Sequence, residues 1–101
     1  MKVTKINRKK ELEVKVDRVY HKIFARTKKR PLGIHGMAAE YAFQTNQKEL
    51  HIKELKQQIH STRPYMEELY GKGLIQEIYD LPIKFRKLKR LSIYKVLSAQ
   101  K

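Results

Sequence analysis

The stretch that most constrains the fold is Ile52 to Ile75, IKELKQQIHSTRPYMEELYGKGLI. Ile52, Leu55 and Ile59 fall at i, i+3 and i+7, one face of a helix at 3.6 residues per turn. Ser61, Thr62 and Pro64 interrupt that face. A Ser or Thr accepts a hydrogen bond from a free N–H at a helix start. Pro fits the first turn, where its missing N–H is no loss. A second helix is therefore expected from Pro64, burying Tyr65 or Met66 together with Leu69, and ending at Gly71-Lys72-Gly73. Leu74 and Ile75 then open an apolar, β-prone segment. Helix, tight turn, helix and strand start follow one another within 24 residues, from 52 to 75.

Charge constrains the partner. The 101 residues carry 24 Lys/Arg against 10 acids, a formal net charge of +14. Such an excess favours a polyanion: DNA, RNA or an anionic membrane surface. Residues 1–30 hold twelve cations against three acids, residues 31–75 five against five, and residues 76–101 seven against two. The helix-turn-helix is thus neutral between flanks of +9 and +5. The absence of Cys excludes a disulfide framework or thiolate metal site and fits a reducing compartment. No apolar run is long enough for a membrane span, and no apolar run follows the charged start MKVTKINRKK as a secretory signal requires.

Upstream, residues 1–7 read as an arm or short strand, and Asn7 as the cap of a helix from about Arg8. Leu12, Val16, Val19, Tyr20, Ile23 and Phe24 share one face of that helix, with Val14 off it. Leu12, Val14 and Val16 also alternate as a strand would, but the alternation fails after residue 17, which favours the helix. Its polar side shows Lys15, Arg18, Lys22, Arg26 and Lys29 at spacings of 3–4, a surface suited to phosphate. RTKKRP, Arg26 to Pro31, has the composition of a nuclear-localisation string or nucleic-acid arm, as does any basic helix end. Pro31 and Gly33 stop the helix. A second helix is expected from Ile34 to Thr45, with Ile34, Met37, Ala38, Tyr41 and Ala42 inward and Asn46 as its stop. Residues 49–52 are expected to be a short extended link.

Past Ile75 the apolar pattern is read as period 2. Leu74, Ile75, Ile78 and Tyr79 lead to a turn at Asp80-Leu81-Pro82, and the cations of KFRKLKR follow. Leu91, Ile93, Lys95 and Leu97 alternate with Ser92, Tyr94, Val96 and Ser98. The tail is expected to be strand, basic loop, strand.

Taken together, helix, link, helix, turn and helix ending in KGLI, then a hairpin with a basic loop, resemble the winged helix-turn-helix superfamily over about residues 34–98. Leu69, Gly73, Leu74 and Ile75 carry the resemblance most specifically, in the spacing L-x-x-x-G-L-I. It implies an α+β fold of three to four helices with a C-terminal β-hairpin wing. The chain then divides into a basic arm and helix over 1–33 and a winged domain over 34–101. It also implies nucleic-acid contacts from the turn and recognition helix (Ser61, Thr62, Arg63, Tyr65 and Lys72) and from the wing (Lys84, Arg86, Lys87, Lys89 and Arg90). Lys15, Arg18, Lys22 and Arg26 add a third basic surface. Glu67 and Glu68 on the recognition helix repel phosphate, which places the expected grip on the wing.

Catalysis has little to work with. His21, His35, His51 and His60 show no ligand spacing, Glu67 and Glu68 are adjacent and diverge on a helix, and the four glycines form no phosphate-binding loop. Six tyrosines could stack on bases, but at periodic positions the commoner fate is core packing. No metal or cofactor is expected, and no enzyme. The expected function is that of a small basic protein binding double-stranded DNA, as a transcriptional regulator or an accessory factor in replication or recombination. It would be cytoplasmic, and nucleoid-associated in a bacterium. The alternatives are a structural RNA-binding or ribosome-associated protein and a protein- or membrane-surface module. Pairing of two copies through helix 8–29 is compatible with the resemblance.

Overall fold

The computed structural model describes residues 4–85 and 92–99, with side chains over 9–85 and 93–99. These residues form five helices: α1 Thr4–Lys29, α2 Ile34–Gln44, α3 Lys48–Tyr70, α4 Lys72–Tyr79 and α5 Ser92–Ala99. No strand occurs among them. The α+β fold with a β-hairpin wing is therefore corrected to an all-helical one.

The reason lies in the spacing of the apolar residues. Leu74, Ile75, Ile78 and Tyr79 stand at i, i+1, i+4 and i+5, which is helical periodicity. As helix α4 they form one stripe, with Ile75 and Ile78 fully buried and Leu74 and Tyr79 packed against the core. In the tail, Ile93 and Leu97, four apart, are the buried pair, while Val96 is 40% exposed. A strand would have placed Ile93, Lys95 and Leu97 on one face, burying a lysine; the helix turns Lys95 out. The β preference of Ile and Val yields to that burial. The expected link at 49–52 is likewise helical, within α3, whose first turns bury His51 and Ile52.

The helix-turn-helix becomes a bend inside α3. Thr62 alone leaves helical geometry (φ −138°, ψ 54°), so the two segments follow each other across a kink. Pro64 explains the break: it has no N–H for the carbonyl four residues back, and its ring crowds that carbonyl. The Thr62 hydroxyl donates to the Gln58 carbonyl (3.0 Å) at the bend. The true reversal comes at Gly71, whose φ of 92° and ψ of 145° suit a residue without Cβ. Its N–H closes α3 on the Glu67 carbonyl (2.7 Å), and its own carbonyl accepts from Ile75 N–H (3.0 Å), starting α4.

A single apolar cluster joins all five helices. Val16, Val19, Tyr20 and Ile23 of α1 meet Ala38, Ala39 and Ala42 of α2 and Ile52, Leu55, Ile59 and Met66 of α3. The alanines let α2 approach closely, whereas Ile34 and Met37, expected inward, are exposed. Asn46 ends the α2 region with φ 58°, the left-handed conformation Asn tolerates. Around the bend, Leu55, Ile59, Met66 and Ile75 are buried, and Leu69 and Leu74 pack half-buried against them.

Two polar features hold this core in register. The buried Lys56 ammonium donates to the Leu81 and Ile83 carbonyls, the latter at 2.7 Å, fixing the chain after α4. Burial lowers its pKa, against a smaller upward pull from Asp80. Deeper in, the Tyr20 hydroxyl and His51 Nδ1 share a 2.5 Å hydrogen bond. The Glu54 carboxylate accepts from Ile93 N–H (3.0 Å), and His35 Nδ1 bonds the Tyr94 hydroxyl (2.7 Å). These last two bonds seat α5 against α3 and α2.

Candidate nucleic-acid interface

α1 sets the geometry of the charged surface. It is 26 residues long, about 39 Å at 1.5 Å per residue. The molecule measures 50 × 26 × 25 Å. Upstream of the half-buried Leu12, the described side chains Lys9, Lys10 and Glu11 are all exposed.

The cations read from the sequence divide into two groups. Lys22 pairs with Glu77 of α4 (2.6 Å). Arg26 reaches across to the end of α3, donating from Nε to the Leu69 carbonyl (2.8 Å) and from Nη2 to the Glu68 carbonyl (3.2 Å). Arg30 donates to the same Glu68 carbonyl (3.3 Å). A helix leaves its last carbonyls without intrahelical partners, and two arginines of the α1 end supply them here. These cations bind the protein to itself. Lys15 and Arg18, by contrast, are exposed and take part in no ion pair or hydrogen bond among the described residues. They edge a shallow cleft of about 230 Å³ whose other wall carries Glu77 and Asp80.

The kink region is similarly divided. Ser61 and Thr62 are exposed at the bend, and Tyr65 is 53% exposed beside the His35 ring (6.2 Å between centroids). Arg63 is held by Glu67 (2.9 Å) and Gln76 (2.5 Å), with its guanidinium over the Tyr79 ring, so it ties α3 to α4. Lys72, at the start of α4, and Lys84 are exposed. Arg86, Lys87, Lys89 and Arg90 lie outside the described residues. Comparisons with family models, characterised proteins and solved structures give no match.

What the sequence reading passed over is the outermost line of α1. Lys10, Val14, Arg18, His21, Ala25 and Lys28 are all exposed. At 3.6 residues per turn they fall within about 80° of one another, opposite the Val16–Val19–Ile23 face. The signal was present as spacings of 3 and 4, but the stripe Lys15–Arg18–Lys22–Arg26 drew attention to the edge of the helix that meets α4 and the end of α3. Acids border the outer line on both edges: exposed Glu11 lies about 20° beyond Arg18 and Asp17 about 20° beyond Lys10 and Lys28, with Glu13 further round. Asp17 pairs with Lys48 (2.7 Å).

Among the described residues no three His, Asp or Glu side chains gather as metal ligands, and no helix is long and apolar enough to cross a membrane. The larger concavities, of about 520 Å³ and about 490 Å³, are open dimples lined by α1 alone or by the 79–85 segment with Lys56.

Proposed function

We propose that this protein binds double-stranded DNA, and that affinity comes chiefly from exposed cations of α1 neutralising phosphates. The observation that carries the reading is the outward line of a long surface helix, along which Lys10, Arg18 and Lys28 are exposed, in a chain of net charge +14. An α-helix with its side chains is about 10–12 Å across, close to the roughly 12 Å width of the B-DNA major groove. The deep, narrow major groove of A-form RNA does not admit such a helix. The role does not rest on a winged helix, since the wing strands are helices here.

Exposed cations outside α1, such as Lys72 and Lys84, add long-range attraction to the same polyanion. Such a protein works where nucleic acid is, in the cytoplasm or on a nucleoid, as a regulator or an accessory to replication or recombination. The RNA-binding alternative would use the same cations on A-form phosphates, and a direct comparison separates the two. In fluorescence anisotropy with a 20-bp DNA duplex, the matching RNA duplex and the single strands, the DNA duplex is expected to bind tightest. Tighter binding of the RNA duplex would transfer the proposal to RNA.

A further inference from the structure

Resting on that reading, we infer that the outer line of α1 is the base-reading element, with Arg18 at its centre and Val14 and His21 on either side. The evidence is the arrangement of residue types along the line. Its ends are cationic, Lys10 and Lys28, about 27 Å apart along the helix. Its middle holds Val14, Arg18, His21 and Ala25, of which only Arg18 bears a permanent charge. Val14 is 55% exposed, whereas the other large apolar side chains described on this helix turn inward, so an apolar group stands between the cations of the line.

Each middle residue has chemistry suited to a groove floor. A guanidinium donates two parallel hydrogen bonds to the O6 and N7 of guanine, and an apolar side chain meets the methyl of thymine. Arg18 makes no hydrogen bond or ion pair among the described residues, so its fork is available. The imidazole of His21 can donate to or accept from a base edge. Val14 and His21 are about 10 Å apart along the axis, a span of roughly three base pairs at 3.4 Å each. Lys10 and Lys28 then fall on the phosphates that flank the groove.

The test is selection of preferred sites from a pool of random 20-bp DNA duplexes, with the full chain and with Arg18→Ala, Arg18→Lys and Val14→Ser. Both positions face solvent, and circular dichroism checks that the helices persist. The wild type is expected to enrich a short motif containing a G. Arg18→Lys keeps the charge but loses the fork, so it should retain affinity for random duplex while losing at least about tenfold preference at that G. Val14→Ser should relax preference at a neighbouring T. Enrichment of no motif, or an unchanged motif in Arg18→Lys, overturns the inference while leaving phosphate binding intact. Loss of salt-sensitive duplex binding altogether would instead remove the parent reading.

Discussion

Arg26 and Arg18 are both arginines on α1, two turns apart, and substitution by alanine should have opposite consequences. Arg26 is half-buried and supplies the Leu69 and Glu68 carbonyls at the end of α3. A hydrogen bond from a charged donor contributes about 1.5–3 kcal/mol. Glu68 keeps Arg30 as a donor, and its carbonyl lies near solvent, so the loss there is small. Leu69 loses its donor outright. Arg26→Ala should therefore lower stability by about 1.5–2.5 kcal/mol, one charged bond plus the packing of the side-chain stem. Arg18 is exposed with no partner among the described residues. Arg18→Ala should stay within about 0.5 kcal/mol of wild type, as a surface site does. Urea denaturation followed by circular dichroism measures both. In DNA titrations the order reverses: Arg18→Ala should lose at least about tenfold affinity for the preferred duplex, the guanine contact of its guanidinium. Arg26→Ala should leave that affinity unchanged. A stable Arg26→Ala protein with weakened DNA binding would show that Arg26 faces phosphate and that its carbonyl contacts are not what hold α3 in place.

Two further outcomes test the fold. Gly71 has φ 92° and ψ 145°, a region that costs a residue with a Cβ about 1–3 kcal/mol, so Gly71→Ala should lower the urea midpoint although open space surrounds the position. His51 is fully buried, and burial together with nearby His35 lowers its pKa from 6.5 to about 3. The unfolded chain binds that proton below pH 6.5 and the folded chain does not, so the His51 contribution is complete above 6.5 and is lost as pH falls towards 3. The stability difference between pH 7.5 and pH 5 should be smaller in His51→Gln than in wild type by about 2 kcal/mol, because each pH step of one below 6.5 costs the folded chain about 1.36 kcal/mol. Equal differences in the two proteins would show that His51 is protonated in the fold.

The long helix α1 was legible because its pattern is long, although it begins at Thr4, within the stretch read as an arm or strand, and Ile34 and Met37 of α2, read as inward, are exposed. The α1 stripe from Leu12 to Phe24 repeats over four turns, and a two-residue alternation at its start could not outlast it. Short segments were misread. In Leu74–Tyr79 the residues alone support several periods over a few positions, and the β preference of isoleucine tipped the choice wrongly. Pro64 correctly marked a break, but a kink within α3 and a true turn share that signal. The basic face of α1 was legible as charge but not as use. Nothing in the sequence says that Arg26 meets the end of α3 or that Lys22 meets Glu77, because those partners lie 42 to 55 residues away. The same blindness applies to Tyr20 and His51, 31 residues apart and joined in the core.

The central claim is that exposed cations of α1 hold duplex DNA by its phosphates. The most direct measurement is the affinity of the full chain for a 20-bp DNA duplex as salt rises from about 50 to 200 mM, the range in which counterion release is read. With Lys10, Lys15 and Lys28 each on one phosphate, the slope of log K against log salt should be about −2.7, a loss of roughly 40-fold over that fourfold rise. Replacing these three lysines with alanine should bring the slope close to zero. Binding that is insensitive to salt, or a slope that the triple substitution leaves unchanged, would contradict the account.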